Sequence, residues 1–344
     1  MRYRIFGQTG LRVSFLALGT GNFGKGWGYG SDREEAQKIY SHYREAGGNF
    51  IDTADQYQFG ESETMVGDFI ANERDDVVLA TKFSLGDSPS SGLQRTGNSR
   101  KAMIQSVEAS LRRLKTDRID LLWVHMPDGV TPIDEIARGL DDLVRSGKIL
   151  YSGLSDFPAW RVATAVTLAE LRGWAPVSAV QLEYSLVERT AERELLPMAA
   201  AFHLGTVTWS PLGGGLLTGK YRKGETGRAQ GLGAVIHSES DSRKTGTMDE
   251  VLAISQETGL PAGQIAIAWV LTKGTITIIG PRTLEQLSDN LASTDVVLSA
   301  EHLQRLDQAS AIAMGFPHDV VARSAGVLSG RMAEQTDFPS HAVR

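Results

Sequence analysis

The chain contains no cysteine. Disulfides and thiolate metal sites are therefore excluded, no metal is expected, and a reducing compartment such as the cytoplasm fits. No apolar run is long enough to span a bilayer, so no membrane partner is expected. The opening Met1-Arg2-Tyr3-Arg4-Ile5-Phe6-Gly7 has no apolar stretch of the secretory kind, and no leader is expected. Charge of one sign is barely in excess, with 35 basic and 41 acidic residues giving a net −6. No basic patch tracks a phosphate backbone, which argues against a nucleic-acid partner. No segment rich in proline, serine or charge separates two domains. What is present is an average globular composition of 41% hydrophobic and 22% charged residues over 344 positions. That is enough to bury a sizeable core, as two ordinary domains or one large barrel.

Tyr3 to Ser14 alternates in polarity and turns at Gln8-Thr9-Gly10, which reads as a β-hairpin. Short apolar runs then alternate with helical patterns. Strands are expected at Phe15–Gly19, Asn49–Asp52, Val77–Lys82, Ile119–His125, Ile149–Leu154, Val177–Leu182, Thr206–Trp209 and Thr275–Ile279. Helices are expected from about Asp32 to Ala46, from near Glu61, from about Ser99 to Leu114, and at Ile133–Arg145, Ala159–Leu171 and Ala191–Ala201. A polar, glycine-rich stretch from Gly213 to about Gly246 precedes helices at Met248–Thr258, Gly263–Leu271 and Leu284–Ala292. Strand-helix alternation argues for a parallel sheet, and eight such units for a single closed (β/α)8 TIM barrel with an N-terminal hairpin and a C-terminal tail. We expect one domain over 1–344, its core at about 15–295, with a helix and tail over 296–344.

In such a barrel the chemistry lies at the carboxyl ends of the strands. Asp52, Lys82 and His125 end three consecutive strands, and Tyr57 follows the first of them. Taken singly, Tyr57 reads as a loop aromatic, Asp52 as a turn cap, Lys82 as a solvated strand end and His125 as a hydrogen-bonded residue at the rim of a core. Together they supply what carbonyl reduction requires. A phenol holds its proton at neutral pH, a nearby ammonium eases that proton off, a carboxylate holds the ammonium, and an imidazole N–H orients the carbonyl oxygen. A rival reading starts from Gly19-Thr20-Gly21-Asn22-Phe23-Gly24, which has the G-x-G-x-x-G form, with Asp52 as the ribose-binding acid of a dinucleotide fold. That motif needs a helix opening inside the glycines. Here glycines continue to Gly30, and none of the tyrosines stands four residues before a lysine as a short-chain dehydrogenase would require.

Several stretches closely resemble the aldo-keto reductase family, in family order and spacing, from the hairpin to about residue 310. They are Gly47-Gly48-Asn49-Phe50-Ile51-Asp52-Thr53-Ala54-Asp55-Gln56-Tyr57, Ala80-Thr81-Lys82-Phe83 and Leu121-Leu122-Trp123-Val124-His125-Met126-Pro127-Asp128, then Gly153-Leu154-Ser155, Val180-Gln181-Leu182-Glu183-Tyr184-Ser185, and the run from Trp209-Ser210-Pro211 to Gly219-Lys220. The likeness is to the longer-loop branch, which includes bacterial members and potassium-channel β-subunits. It implies the same barrel and an Asp52–Tyr57–Lys82–His125 tetrad with Tyr57 as general acid.

It also implies a nicotinamide cofactor. Ser155, Asp156 and Gln181 would meet the carboxamide, Trp209 would stack on the ring, and Gly19, Thr20 and Gly21 are expected beside it. Relatives often carry Asn where Asp156 stands. An ionised Asp only accepts, so the contact to the carboxamide oxygen is not expected from it. Ser210, Pro211, Leu212, Gly213 and Leu217 belong to a turn whose N–H groups would face the pyrophosphate, with Lys220 adding charge. The run Gly280-Pro281-Arg282 just before a helix matches the adenosine 2′-phosphate site, but many relatives carry a basic residue and a Ser where Gly280 and Pro281 stand, so Arg282 would have to recognise the phosphate. Gln286 and Asn290 match positions near the adenine, and NADPH/NADP+ is expected in preference to NADH. The stretch Tyr221–Gly246 is expected either to fold over the cofactor or to form a loop. Trp27, Tyr29, Phe59, Phe83 and Met126 are expected to wall the pocket of a small-molecule carbonyl substrate. The alternative function is a cofactor-binding regulatory subunit resembling the channel β-subunits, although no partner surface is marked. Oligomeric state is not readable.

Overall fold

Strands β1 (Tyr3–Ile5) and β2 (Arg12–Ser14) form the antiparallel hairpin, with Tyr3 opposite Ser14. In the computed structural model, which describes residues 1–225, 227 and 237–337, eight parallel strands follow. They are β3 (Leu16–Gly19), β4 (Phe50–Asp52), β5 (Val78–Phe83), β6 (Ile119–Val124), β7 (Ile149–Ser155), β8 (Val177–Glu183), β9 (Gly205–Trp209) and β10 (Ile276–Ile279). They pair in chain order, and β10 returns to pair with both β9 and β3, so the sheet closes into the (β/α)8 barrel.

The helices between strands begin where side chains satisfy their first amides. Asp32 accepts from the Glu35 N–H at 3.0 Å to open Arg33–Glu45. Ser99 accepts from the Ala102 N–H at 3.3 Å to open Arg100–Leu114. Along Ile133–Arg145, the buried Ile136, Leu140 and Leu143 recur on one helical face. Strand residues alternate between two cores. Leu122 and Val124 face the helices, while Leu121 and Trp123 fill the barrel interior with Phe50, Val78, Val207 and Ile276. Phe6 and Val13 of the hairpin segment join that interior cluster, and Phe6 meets Phe50 edge-on at 5.9 Å. The amino end of the barrel is thereby plugged, leaving the carboxyl end for a ligand.

Gly153 lies opposite Trp123 in the β6–β7 register. A Cβ on Gly153 would overlap the Trp123 ring, so the absence of a side chain there is what lets a buried indole lie inside the barrel.

Two expectations are corrected. The single helix expected over Ala191–Ala201 is a 3-10 turn at Thr190–Glu192 followed by a helix at Leu195–Ala201. Pro197 is tolerated in the first turn of a helix but not deeper, so the helix has to begin just before it. The helix expected at Met248 begins instead at Ser242, because Asp241 accepts from the Lys244 N–H at 2.8 Å. In the tail, the helices Ala300–Ala309 and His318–Leu328 follow the barrel, and the second has no buried residue. Residues 226 and 228–236 of the long polar stretch, and 338–344 of the tail, lie outside the described residues. Among the described residues no helix is long and apolar enough to cross a membrane.

Gly153→Ala is expected to destabilise the protein by about 1–3 kcal/mol through overpacking against Trp123. Denaturant unfolding checks this, and the account expects a lower midpoint together with altered indole fluorescence.

Candidate active site

Asp52 ends β4 with 1% of its surface exposed. One carboxylate oxygen takes the Lys82 ammonium, and the other accepts from Trp123 Nε1 and Gln181 Nε2, each at 3.0 Å. This carboxylate therefore ties β4 to β5, β6 and β8 across the barrel interior. The three protons of the Lys82 ammonium go to Asp52, to the Thr53 carbonyl at 3.0 Å and to the Tyr57 hydroxyl oxygen at 3.1 Å. Burial works against charge on Lys82, but Asp52 and Tyr57 outweigh it and hold the amine above its ordinary range. Because the Tyr57 oxygen accepts from Lys82, its own proton points elsewhere. Among the described residues it has no acceptor, and the phenol lines the cleft.

His125 follows β6, its N–H held by the Phe83 carbonyl at 2.9 Å. Its ring meets Tyr57 edge-on at 5.9 Å. Burial, and then the charge of Lys82, push the imidazole down to about 3, so it is neutral at physiological pH. Its Nδ1 is buried without a partner among the described residues.

Tyr57 begins a turn in which Gln58 (φ 53°) and Phe59 (φ 55°) are both left-handed, a conformation that costs a non-glycine residue about 1 kcal/mol or more. The Gln58 side chain offsets this cost. It donates to the carbonyls of Gly21 at 2.8 Å and Tyr29 at 3.1 Å, and it accepts from the Trp27 N–H at 2.9 Å. The Tyr57 turn and the loop over residues 20–31 are thus one unit, and Trp27 packs edge-on against Tyr57 at 5.9 Å.

Tyr57, His125 and Asp52 line a cleft of about 670 Å³. Of the expected cofactor residues, Gly19, Gly21, Ser155, Asp156, Gln181, Trp209, Ser210, Pro211, Leu212, Lys220, Gly280, Arg282, Gln286 and Asn290 line the same cleft. Among the described residues the buried Ser155 Oγ makes no well-formed hydrogen bond, although it lies near enough to Asp156 to favour the charged form of that carboxyl. Trp209 donates its indole N–H to Asp156 Oδ1 at 3.1 Å. Burial pushes the Asp156 carboxyl up to about 6, with Glu183 adding to the rise and Trp209 opposing it.

Some expected residues are not on the cleft wall. Lys82 acts from behind it, wholly enclosed. Thr20 is buried, with its hydroxyl shared between the Asp52 carbonyl and Ser62. Leu217 is a core residue, and Gly213 is buried against Val187. The turn amides do not face a pyrophosphate: those of Gly213, Gly214, Gly215 and Leu217 donate to Ser210 or Leu212 within the turn. Phe83 follows Lys82 on one strand, so when Lys82 points inward Phe83 points out to the helix layer. Phe59 lies outside the cleft, 39% exposed and edge-on to Trp27. Trp27, Tyr29 and Met126 do line the cleft, although the Tyr29 ring lies over the Arg282 guanidinium. The sequence reading missed Trp123 as a partner of Asp52 and Gln58 as the brace of the Tyr57 turn. The one available signal for Trp123 was a glycine opposite a tryptophan in neighbouring strands.

Residues 15–311 match the Aldo/keto reductase family. The chain belongs to the aldo-keto reductases. It is 38% identical to a norsolorinic acid reductase of Aspergillus flavus over 322 residues, covering 90% of this chain and 81% of that protein. It is likewise 38% identical to an uncharacterized oxidoreductase of Bacillus subtilis, over 89% of this chain and 95% of that one. It is 34% identical to a putative aryl-alcohol dehydrogenase of Saccharomyces cerevisiae, over 93% and 89%. Aldo-keto reductases are oxidoreductases that reduce carbonyls with nicotinamide cofactors.

One further acid stands close to the Tyr57 turn of this aldo-keto reductase. Asp55 is 1% exposed, and its Oδ1 is buried without a partner. Burial pushes its carboxyl up to about 8, with Glu63 adding and Arg113 opposing. The folded chain therefore keeps this proton where the unfolded chain, with a value near 3.8, has lost it. The stability that Asp55 contributes is fully present below the unfolded value and is lost as pH climbs through about 8. Asp55→Asn removes this titration. Denaturant midpoints across the pH range are expected to show the variant gaining on the wild type as pH rises towards about 8.

Proposed function

We propose that this chain is an NADPH-dependent reductase of aldehydes or ketones in which Tyr57 is the general acid. The observation that carries the reading is the Tyr57 hydroxyl oxygen 3.1 Å from a buried ammonium that Asp52 keeps charged. The phenol's own proton is then free to serve a carbonyl oxygen in the cleft. Lys82 stabilises the phenolate left behind, which is the contribution required when a group of ordinarily high pKa must release its proton. Asp52 prevents Lys82 from escaping its burial by losing charge. Neutral His125, beside the phenol, keeps one N–H to orient the carbonyl oxygen and adds no second cation to compete with Lys82.

The residues present fit a nicotinamide dinucleotide. When bound, it supplies the hydride. The buried Ser155 Oγ, without a well-formed hydrogen bond among the described residues, would hydrogen-bond the carboxamide, together with Gln181. Trp209, braced by Asp156, offers a flat face for the ring. At the far end of the site, Lys220 is lowered by burial and then by the charge of Arg282, so two cations share one end of the cleft with Glu225 only partly offsetting them. The extra 2′-phosphate that distinguishes NADPH suits that end, which supports NADPH over NADH.

For the substrate, Trp27 packed on Tyr57 and Met126 next to His125 give the cleft an apolar wall. One relative is a putative aryl-alcohol dehydrogenase, so aryl aldehydes are the first class to try. The test is loss of NADPH absorbance with a panel of aldehydes, for the wild type and Tyr57→Phe. The variant is expected to lose turnover by a factor of about 100 or more while binding cofactor normally. Wild-type turnover in Tyr57→Phe would remove the proposed acid.

A further inference from the structure

Arg282 is fixed before any ligand arrives. Its N–H is held by Gln286 Oε1 at 2.8 Å. Its carbonyl accepts from Ser31 Oγ at 2.7 Å, and the carbonyl of Gly280 accepts from Asn22 Nδ2 at 2.8 Å. The guanidinium carbon lies 4.7 Å from the centre of the Tyr29 ring. Asn22, Tyr29 and Ser31 all belong to the loop that follows β3, so that loop grips the segment after the neighbouring strand β10.

Among the described residues the Arg282 Nε is buried without a hydrogen-bond partner. Lys220 is near enough for the positive charge of Arg282 to lower its amine. Two cations and a buried, unsatisfied N–H at one end of a cleft cost free energy that a bound anion relieves. An arginine receives phosphate through a planar fork, so its orientation matters as well as its charge. With its central carbon over the Tyr29 ring, the guanidinium is confined by an aromatic neighbour, and less rotamer freedom is then lost on binding.

We propose that Tyr29 determines cofactor choice: its ring holds the Arg282 guanidinium in the plane that receives the adenosine 2′-phosphate. The inference rests on the NADPH reading above. It moves Tyr29 from the substrate wall to the phosphate end of the cleft. The backbone of Tyr29 is itself set by Gln58, whose Nε2 donates to its carbonyl at 3.1 Å, so the ring is not a freely swinging lid.

The test is calorimetric binding of NADP+ and of NAD+ to the wild type, Tyr29→Phe, Tyr29→Leu and Arg282→Gln. The wild type is expected to prefer NADP+, and Arg282→Gln to lose that preference by roughly 10- to 100-fold. Tyr29→Leu is expected to weaken NADP+ by about tenfold while leaving NAD+ nearly unchanged, and Tyr29→Phe, which keeps the ring face, to behave as wild type. Unchanged NAD+ affinity shows that the loop still folds. A wild-type cofactor ratio in Tyr29→Leu, an equal loss for both cofactors, or a Tyr29→Phe as impaired as Tyr29→Leu would overturn the role of Tyr29 and leave the NADPH reading standing. No preference in the wild type, or a preference that survives Arg282→Gln, would overturn that reading itself.

Discussion

The buried pair of Asp52 and Lys82 is the constraint on which the rest of the site depends. Each is 1% exposed, and neither charge is tolerable there alone. Removing one partner of such a pair typically costs about 3–5 kcal/mol, because the other is left buried and uncompensated. The fold meets this demand with a full set of hydrogen bonds. The carboxylate takes Lys82, Trp123 and Gln181, and the ammonium gives its remaining protons to the Thr53 carbonyl and the Tyr57 oxygen. The closed barrel makes this possible, since β4, β5, β6 and β8 present these groups to one interior. Gly153 makes room for the indole that completes the set.

The cleft has two electrostatic ends joined by one loop. At the first end, a buried ammonium stands behind a phenol and a neutral imidazole. At the second, Arg282 and Lys220 share a space, with Glu225 opposing them in part. The loop over residues 20–31 touches both, through Trp27 on Tyr57 and Tyr29 on Arg282. Gln58, in its left-handed turn, pins that loop to the residue that begins the turn. The strain in the turn therefore goes into holding the two ends in register. Both ends serve the same reaction on the proposed reading, so a fixed spacing between them is useful.

Much of this architecture was legible in the residues alone. Alternating strand and helix patterns led to eight units, and barrel geometry placed Asp52, Lys82 and His125 at one end. The helix starts expected at about Asp32 and about Ser99 fall on residues whose side chains cap those helices. Residue-level errors came from contacts that local pattern does not encode. Phe83 was assigned to the pocket although strand alternation turns it away from Lys82. The glycine-rich turn after Trp209 looked like a phosphate cradle, but its left-handed glycines let the chain fold back and consume its own amides. Pro197 divides an apolar run that reads as continuous. The Trp123–Asp52 contact spans the barrel interior, and only the register of β6 against β7, with Gly153 opposite, reveals it. The role expected of Trp209 came from resemblance to the family, and the brace that Asp156 gives it appears only in the folded structure.

The central claim is that Asp52 keeps Lys82 charged inside the barrel. Nuclear magnetic resonance of the lysine Nζ nitrogens in isotope-labelled protein, compared with Asp52→Asn, reads this directly. The account predicts an ammonium signal for Lys82 in the wild type throughout neutral and mildly alkaline pH, and a neutral amine in the variant. A neutral Lys82 in the wild type at neutral pH, or an ammonium that persists without Asp52, would contradict it.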